Sequence, residues 1–443
     1  MLTWWGGVVP NTNAGPIVRC TNAMKNRLGW VALLALGSLS SCGGQAPAGA
    51  KGANGAESAG ATPGSSGKPF DFDATLKREA SGLTEQAVEG PQAAWTAKVP
   101  AAAAPKLTPS ENVMLVDIPI GSESAVRCQV FSDTLDPGGT LSGVIKESGS
   151  RVEYRSIVPS GVQVLSGVPA TFLETVYVTD TEGGKGAGGL KLAIQVREQE
   201  SLLCLHDEVG YKQTFKDIST AFFSTFKVRN APANENTFTE VSKARLGDTD
   251  VGFAWTRVKP GQNPGEREYN CSNTTLIPTS PKDVIFEDSY EMFLYDRKNV
   301  LQTGTWVEGT GGEITLKVTI KRWADGKYAY EGEASGKPIK GVLPAPKGVL
   351  TSLEIATRLK KKLKAGAPFE LVLPEYHPSI DPTALIDVTY KRQKGDPARQ
   401  VVVTMSDRTM TTEVDDDGIA KTAWFQVGKH RLSIERLKSE GHL

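Results

Sequence analysis

The chain has 443 residues, enough for two or three domains at about 150 residues each. Its 50 Lys and Arg balance 50 Asp and Glu, which excludes both the basic footprint of a nucleic-acid binder and a strongly acidic surface. It contains no apolar run of about 18 residues or more, so no segment reads as a permanent membrane-spanning helix.

The first elements read as an export signal. Lys25 and Arg27 form a short positive region ahead of the apolar block Leu28–Leu39. That block suits a signal-peptide core and is too short to cross a bilayer as a stable helix. Small residues, Ser40 and Ser41, then lead to Cys42 and Gly43. The stretch "MLTWWGGVVPNTNAGPIVRCTNA" does not suit the start of such a signal, so Met24 is expected to be the true start within a signal region spanning 1–42. Residues 43–68 are mostly Gly, Ala, Ser and Pro without apolar periodicity, which predicts a disordered tether. A flexible coil of that length spans roughly 25–30 Å. Tether and spacer together are expected over 43–112, with one weak helical stretch at 74–88.

From Val113 the texture changes to short alternating apolar runs, "VMLVDIPI", "AVRCQVF", "TFLETVYVTD", "LKLAIQV" and "SLLCLHD", separated by turn signals such as Asp136–Gly139. "YKQTFKDISTAFFSTFKV" follows, with Phe215, Ile218, Phe222, Phe223 and Phe226 at helical spacing, an aromatic face to bury on a sheet. An α+β domain over 113–229 is the expectation: an antiparallel sheet closed by a packed C-terminal helix. Cys128 and Cys204 lie on two of its strand-like runs, and export would place them where disulfides persist, so they are expected to pair and leave Cys271 over.

From about 235 to 443 strands dominate. "DVGFAWTRV", "SYEMFLYD", "EITLKVTIKRW" and "KYAYEGEA" alternate well, and "VLTSLEIATRLKKKLKAG" is a helix with Leu353, Ala356, Leu359 and Leu363 on one face and Gly366 as C-cap. Further strands follow, two of them joined at Asp416-Asp417-Gly418 as a hairpin turn. The expectation is a mainly-β half-barrel with one helix, giving the whole chain an α+β class.

Residues able to do chemistry are sparse. Cys271, His377 and Asp387 occur in the chain order of a cysteine hydrolase, yet Cys271 sits in the polar run "YNCSNTTL", read as a loop, where a nucleophile would be expected to open an apolar helix. Cys204 and His206 alternate on one strand with no second pair at ligand spacing, so a structural role is expected and no metal. Asp415, Asp416 and Asp417 lack the alternation and the closing Glu of a calcium loop. Lys360, Lys361, Lys362 and Lys364 form a basic helix end, by default solvated, with anionic headgroups as the alternative contact. No cofactor-binding pattern is present, no catalytic residue is assigned, and a non-enzymatic protein is expected.

Three resemblances add to this. Leu39-Ser40-Ser41-Cys42 resembles the lipobox of bacterial lipoproteins, which implies acylation of Cys42, palmitate among the acyl groups, and cleavage that leaves it as the new N-terminus. Gly43, where Asp is the usual inner-membrane retention signal, then implies the periplasmic face of the outer membrane. The passage Cys204–Phe226 resembles the close of PsbP-like domains, a family mostly of accessory and binding modules. The order "LKAG", "FELVLPEYHPSIDP", a strand pair and "EVDDDGIAKTAWFQVG" resembles a family of periplasmic half-barrel domains, related in pattern to the Lol-type lipoprotein carriers and often adjacent to transglutaminase-like domains. That resemblance implies a curved antiparallel sheet around a helix and no reaction. Together these readings give a membrane-anchored envelope lipoprotein that binds a partner protein or scaffolds an assembly. The alternative is a carrier or sensor of an apolar ligand, a lipid or acyl chain, in the half-barrel groove.

Overall fold

The computed structural model describes residues 75–110, 113–150, 152–181, 184–231, 233–343, 352–397, 399–406, 408–427 and 430–441. The signal region and Cys42 lie outside them.

The first part of the chain runs β1 (Thr84–Glu89), β2 (Trp95–Ala101), β3 (Lys106–Ser110), β4 (Val113–Pro119), β5 (Ala125–Phe131), α1 (Pro137–Gly149), β6 (Glu153–Leu165), β7 (Val168–Thr181), β8 (Gly184–Gly188), β9 (Lys191–Val196), β10 (Ser201–His206), α2 (Lys212–Thr225) and β11 (Lys227–Val228). An eight-stranded sheet of order β3-β4-β5-β10-β9-β7-β6, with β8 on β7, is the backbone of this part. Its strands carry apolar residues on both faces because both are covered. One face packs beneath the small sheet β1-β2-β11 and the aromatic side of α2. Trp95 stacks on Phe226 at 5.3 Å and meets Phe222 edge-on at 6.3 Å. The other face, with Leu173, Leu192, Ile194 and Leu203, buries Leu141 and Ile145 of α1.

The second part runs β12 (Phe238–Leu246), β13 (Thr249–Pro260), β14 (Arg267–Ser280), β15 (Asp283–Tyr295), β16 (Leu301–Thr310), β17 (Glu313–Arg322), β18 (Tyr328–Ala334), β19 (Lys337–Leu343), α3 (Ser352–Lys364), β20 (Phe369–Glu375), β21 (Ile386–Arg392), β22 (Gln400–Met405), β23 (Arg408–Val414), β24 (Ala420–Val427) and β25 (His430–Gly441). These strands form one antiparallel sheet of fourteen. Sequence neighbours pair throughout except at one seam, where β12 lies against β25, so β19 and β20 end up as the two edges. The pleat sends alternate side chains to opposite faces. On β13–β15 one set joins the interior core with Tyr269, Cys271 and Phe293, while the other set, including Trp255, Leu276 and Phe286, packs against the first part.

α3 packs its Ile355, Leu359 and Leu363 onto the β20–β25 half of the interior. Its seating is tight. A Cβ on Gly418 would stand 2.4 Å from the Ala356 carbonyl, and Gly418 also has φ +78°, so the β23–β24 turn meets the helix backbone only because that residue is glycine.

Four expectations are corrected. The α+β class gives way to a sheet-dominated fold, 59% strand and 13% helix with three helices among the described residues, because helices only cover sheets here. The spacer read into the stretch before 112, with its weak helix, instead carries β1, β2 and β3, of which β2 buries Trp95, Ala97, Val99 and Ala101. The turn signal at Asp136–Gly139 opens α1. The polar run around Cys271 is the middle of β14, its Asn270, Asn273 and Thr274 buried.

Candidate functional site

The concave interior of the large sheet is the place where a ligand-binding half-barrel would act, and its own side chains occupy it. In one half Trp306 contacts Phe293 and Tyr376, each at 5.0 Å between ring centres, and Tyr269 meets Tyr295 at 5.0 Å. In the other half, Val388, Tyr390, Val403, Met405 and Met410 close on α3. Each such side chain, once buried, contributes about 1.5–3 kcal/mol, which argues for a packed core.

Charged groups are set into this interior with partners. Glu375, 3% exposed, accepts the Tyr390 hydroxyl at 2.7 Å and lies 3.0 Å from His377 Nε2. Burial, and after it the Glu375 carboxylate, push the Tyr390 hydroxyl well above its ordinary range. Arg436 reaches Glu240 at 2.6 Å, Asp415 at 2.7 Å and the Ala420 carbonyl at 2.9 Å. Burial pushes Glu240 up to about 7 despite that arginine. Glu308 is also pushed up to about 7 by burial, opposed by a hydrogen bond from Ser379.

The sign of that last shift gives a pH prediction. The folded chain keeps a proton on Glu308 that the unfolded chain releases above about pH 4.5, so this contribution to stability is full below that value and is lost as pH rises through 7. Unfolding free energies from urea titrations at pH 5 and pH 8 should differ by about 2 kcal/mol more in the wild type than in Glu308→Gln. Equal differences in the two proteins would reject this account.

A second polar region lies where the two parts meet. Asp288 on β15 accepts hydrogen bonds from the backbone N–H of Gly138 at 2.9 Å and of Gly139 at 2.7 Å, and from the Thr274 hydroxyl at 2.7 Å. It therefore caps α1 from outside, the helix's own N-cap Asp136 making no side-chain cap bond. Burial pushes the Asp288 carboxyl up to about 6. Nearby, Arg257 pairs with Glu198 at 3.2 Å and lies 3.9 Å from the centre of the Trp255 ring. Asp288, Trp255 and Arg257, with Pro137, Arg197 and Tyr290, line a small cleft between the two parts. α2 is capped in the same remote manner: Glu79 accepts from the N–H of Gln213 and Thr214, which holds its carboxyl below the ordinary range even though burial, the largest influence, acts the other way.

The residues singled out from sequence fall as follows. Cys128 and Cys204 stand directly opposite each other on β5 and β10 and are joined by a disulfide. Cys204 therefore offers no thiolate to a metal. His206 is buried, and burial and Lys191 push it down to about 3. Lys191 Nζ lies 3.3 Å from His206 Nδ1, which puts the ring proton on Nε2, facing the Ser124 hydroxyl at 3.3 Å. That tautomer cannot take a proton from Ser124. The cluster is a structural lock between the β4–β5 turn and β10. Cys271 is buried, hydrogen-bonded to Asn273 Oδ1 at 3.5 Å and to Thr256 at 3.7 Å, while His377 is oriented by Glu375 and Asp387 is exposed. The chain-order trio is thus not assembled. Asp415 pairs with Arg436, Asp416 with Arg399 and Asp417 with Lys360 at 2.6 Å, an acidic turn spent on fastening α3 and β25. Among the described residues no group of three or more His, Cys, Asp or Glu is placed to hold a metal. Asp288, Glu79, Glu198 and Arg257 were not legible in advance, since each works on a partner remote in the chain and carries no local pattern.

No family model matches the chain, and no curated protein does. Among solved structures it is similar to a β-barrel-like protein of a domain of unknown function, DUF1849, from Brucella abortus, at 14% identity and TM-score 0.35, covering 47% of this chain and 97% of that one. A protein of Bacteroides thetaiotaomicron is 12% identical with TM-score 0.22, covering 36% of this chain and 52% of the other. A member of the DUF1089 family from Pseudomonas aeruginosa is 14% identical with TM-score 0.19, covering 43% and 89%. At TM-scores this low the likenesses carry no functional argument.

Proposed function

We propose that this protein is an exported envelope lipoprotein, held to the outer membrane through Cys42, that works by binding a partner protein and not by catalysis. The observation that carries the binding half is the occupied interior. A carrier of acyl chains needs an apolar cleft open to solvent, whereas this concave face is filled by Trp306, Tyr376, Met405, Met410 and the apolar side of α3. Recognition then falls to the outer surfaces of two parts fastened together by Asp288 and the Glu198–Arg257 pair. The export half rests on the order of charge, apolar block and Leu39-Ser40-Ser41-Cys42, and the Cys128–Cys204 bridge suits an oxidising compartment.

Replacement of Cys42 by Ser is expected to abolish acyl labelling and to remove the mature-length species from the outer-membrane fraction. Mature-length Cys42→Ser protein in that fraction, with no acyl label in the wild type, would overturn the anchor. Pull-down from detergent-solubilised envelopes, with lipid analysis of the eluate, tests the binding half. A protein retained in fixed proportion is expected, and an equimolar lipid without a protein would replace this reading with the carrier.

A further inference from the structure

Phe253, Trp255 and Arg257 alternate along β13, so the pleat turns all three to one face of the large sheet, the face toward the first part of the chain. There they line the cleft at the joint together with Val196 and Arg197 of the first part and Pro137 of α1. Two donors in this lining lack an acceptor. Trp255 is 6% exposed, and its indole Nε1–H makes no hydrogen bond among the described residues. Arg257 pairs with Glu198 through Nη1, and its buried Nε–H is likewise unbonded. The guanidinium lies over the indole, so the two N–H groups belong to one stacked pair. Buried donors without acceptors are rare because each has given up water for nothing. The unfilled space that both side chains border is the cleft, and the missing acceptor belongs there.

The charges around the cleft identify that acceptor. Arg197 gives its N–H groups to the Gln195 side chain at 3.0 Å and to the Phe226 and Phe223 carbonyls at 3.1 and 2.6 Å, all of them neutral. Glu200 acts on it only through space. Asp288 also lines the cleft, but its two oxygens already receive Gly138, Gly139 and the Thr274 hydroxyl. A water molecule would take the two free N–H groups and leave the Arg197 charge as it stands. A carboxylate meets both needs, since its oxygens accept charge-assisted hydrogen bonds from two donors at once. The remaining walls, Pro137, Val196 and Phe253, are apolar and suit a short hydrocarbon tail.

We propose that the joint between the two parts is a binding site for a short monocarboxylic acid, taken as its anion. Its carboxylate accepts from Trp255 Nε1 and Arg257 Nε, and its tail lies against Pro137, Val196 and Phe253. The small size of the cleft excludes a long acyl chain. The site is separate from the concave interior and rests on neither the acylation of Cys42 nor a partner protein.

The full chain carrying Cys42→Ser, which has no acyl anchor, is labelled with nitrogen-15 and titrated with sodium propionate in place of sodium chloride at constant ionic strength. Among the signals of the eight tryptophans, the indole N–H of Trp255 is identified by its loss in Trp255→Phe. That signal should move downfield with propionate and saturate. Arg257→Lys keeps a cation for Glu198 and removes the Nε–H, and it should raise the propionate dissociation constant about tenfold, as the loss of one charge-assisted hydrogen bond. Thr134 is exposed where it lines the cleft, so Thr134→Phe should leave the fold intact and obstruct entry. Should Arg257→Lys fail to fold, Thr134→Phe decides. The absence of a saturating shift would overturn the proposal and leave the cleft to water alone. An equal shift when chloride is added would overturn it too, as would a folded Arg257→Lys or a Thr134→Phe that binds propionate as tightly as the parent.

Discussion

Loss of the Cys128–Cys204 bridge is expected to lower stability by about 4 kcal/mol. The two cysteines are 76 positions apart, and a loop of that length closed in the unfolded chain removes conformational entropy worth about that much. Both are fully buried on the face of the eight-stranded sheet that carries Val116 and Phe172, in the same core as Phe222 of α2. Strands β5 and β10 are central in the sheet order, so the bridge staples the middle of this part. Urea unfolding of the wild type with and without reductant, and of Cys128→Ala/Cys204→Ala, measures it. The reduced wild type and the double variant should share one lowered midpoint, and an unchanged midpoint on verified reduction would contradict the assignment.

Asp288→Ala should cost about 3 kcal/mol, the sum of a lost helix cap and buried donors left unpaired. Gly138 and Gly139 would lose the carboxylate that receives their N–H groups, and Thr274 its acceptor. α1 itself is rich in Gly and Ser, a poor helix by propensity. The expected signature is local: hydrogen exchange should accelerate in α1 and along the facing stretch of β15 before the interior of the large sheet is affected. Uniform acceleration across both parts would mean that Asp288 supports the whole fold and not this joint.

The contrast between α1 and α2 shows what the sequence carries. α2 announces itself through Phe215, Ile218, Phe222 and Phe223 at helical spacing, all of them buried. α1 opens with Pro137-Gly138-Gly139, residues that locally favour a turn, and becomes a helix because Asp288 and the apolar surface of Leu276 and Phe286 wait for it from the other part of the chain. β14 hides for a related reason. Both of its faces are covered, but by a mixture of apolar side chains and satisfied Asn and Thr, so the alternation that betrays a half-buried strand is missing. The later hairpins, with one face wet and glycines such as Gly326 at φ +87° and Gly418 at φ +78° in the turns, are readable. The site suffers the same limit. The Cys128–Cys204 pairing is legible, but the fates of His206 and Asp415–Asp417 are settled by partners such as Lys191, Arg436 and Arg399 that no spacing rule connects to them.

The seam between β12 and β25 bears on how the protein is made. The last described strand is not at the rim of the large sheet. It lies between β12 and β24 in the middle of the strand order, with Ser242 opposite Arg436 and Ala244 opposite Ile434. As the chain emerges, β12–β19 can zip sequentially, but the two halves cannot join until β25 is available. A contact between partners so far apart in the chain makes for late, slow closure. A ribosome stopping before His430 would therefore leave a sheet split at its centre, with two raw edges, rather than one merely short of a strand. Quality control acting on the chain would need to sense only that seam to distinguish a closed sheet from an open one.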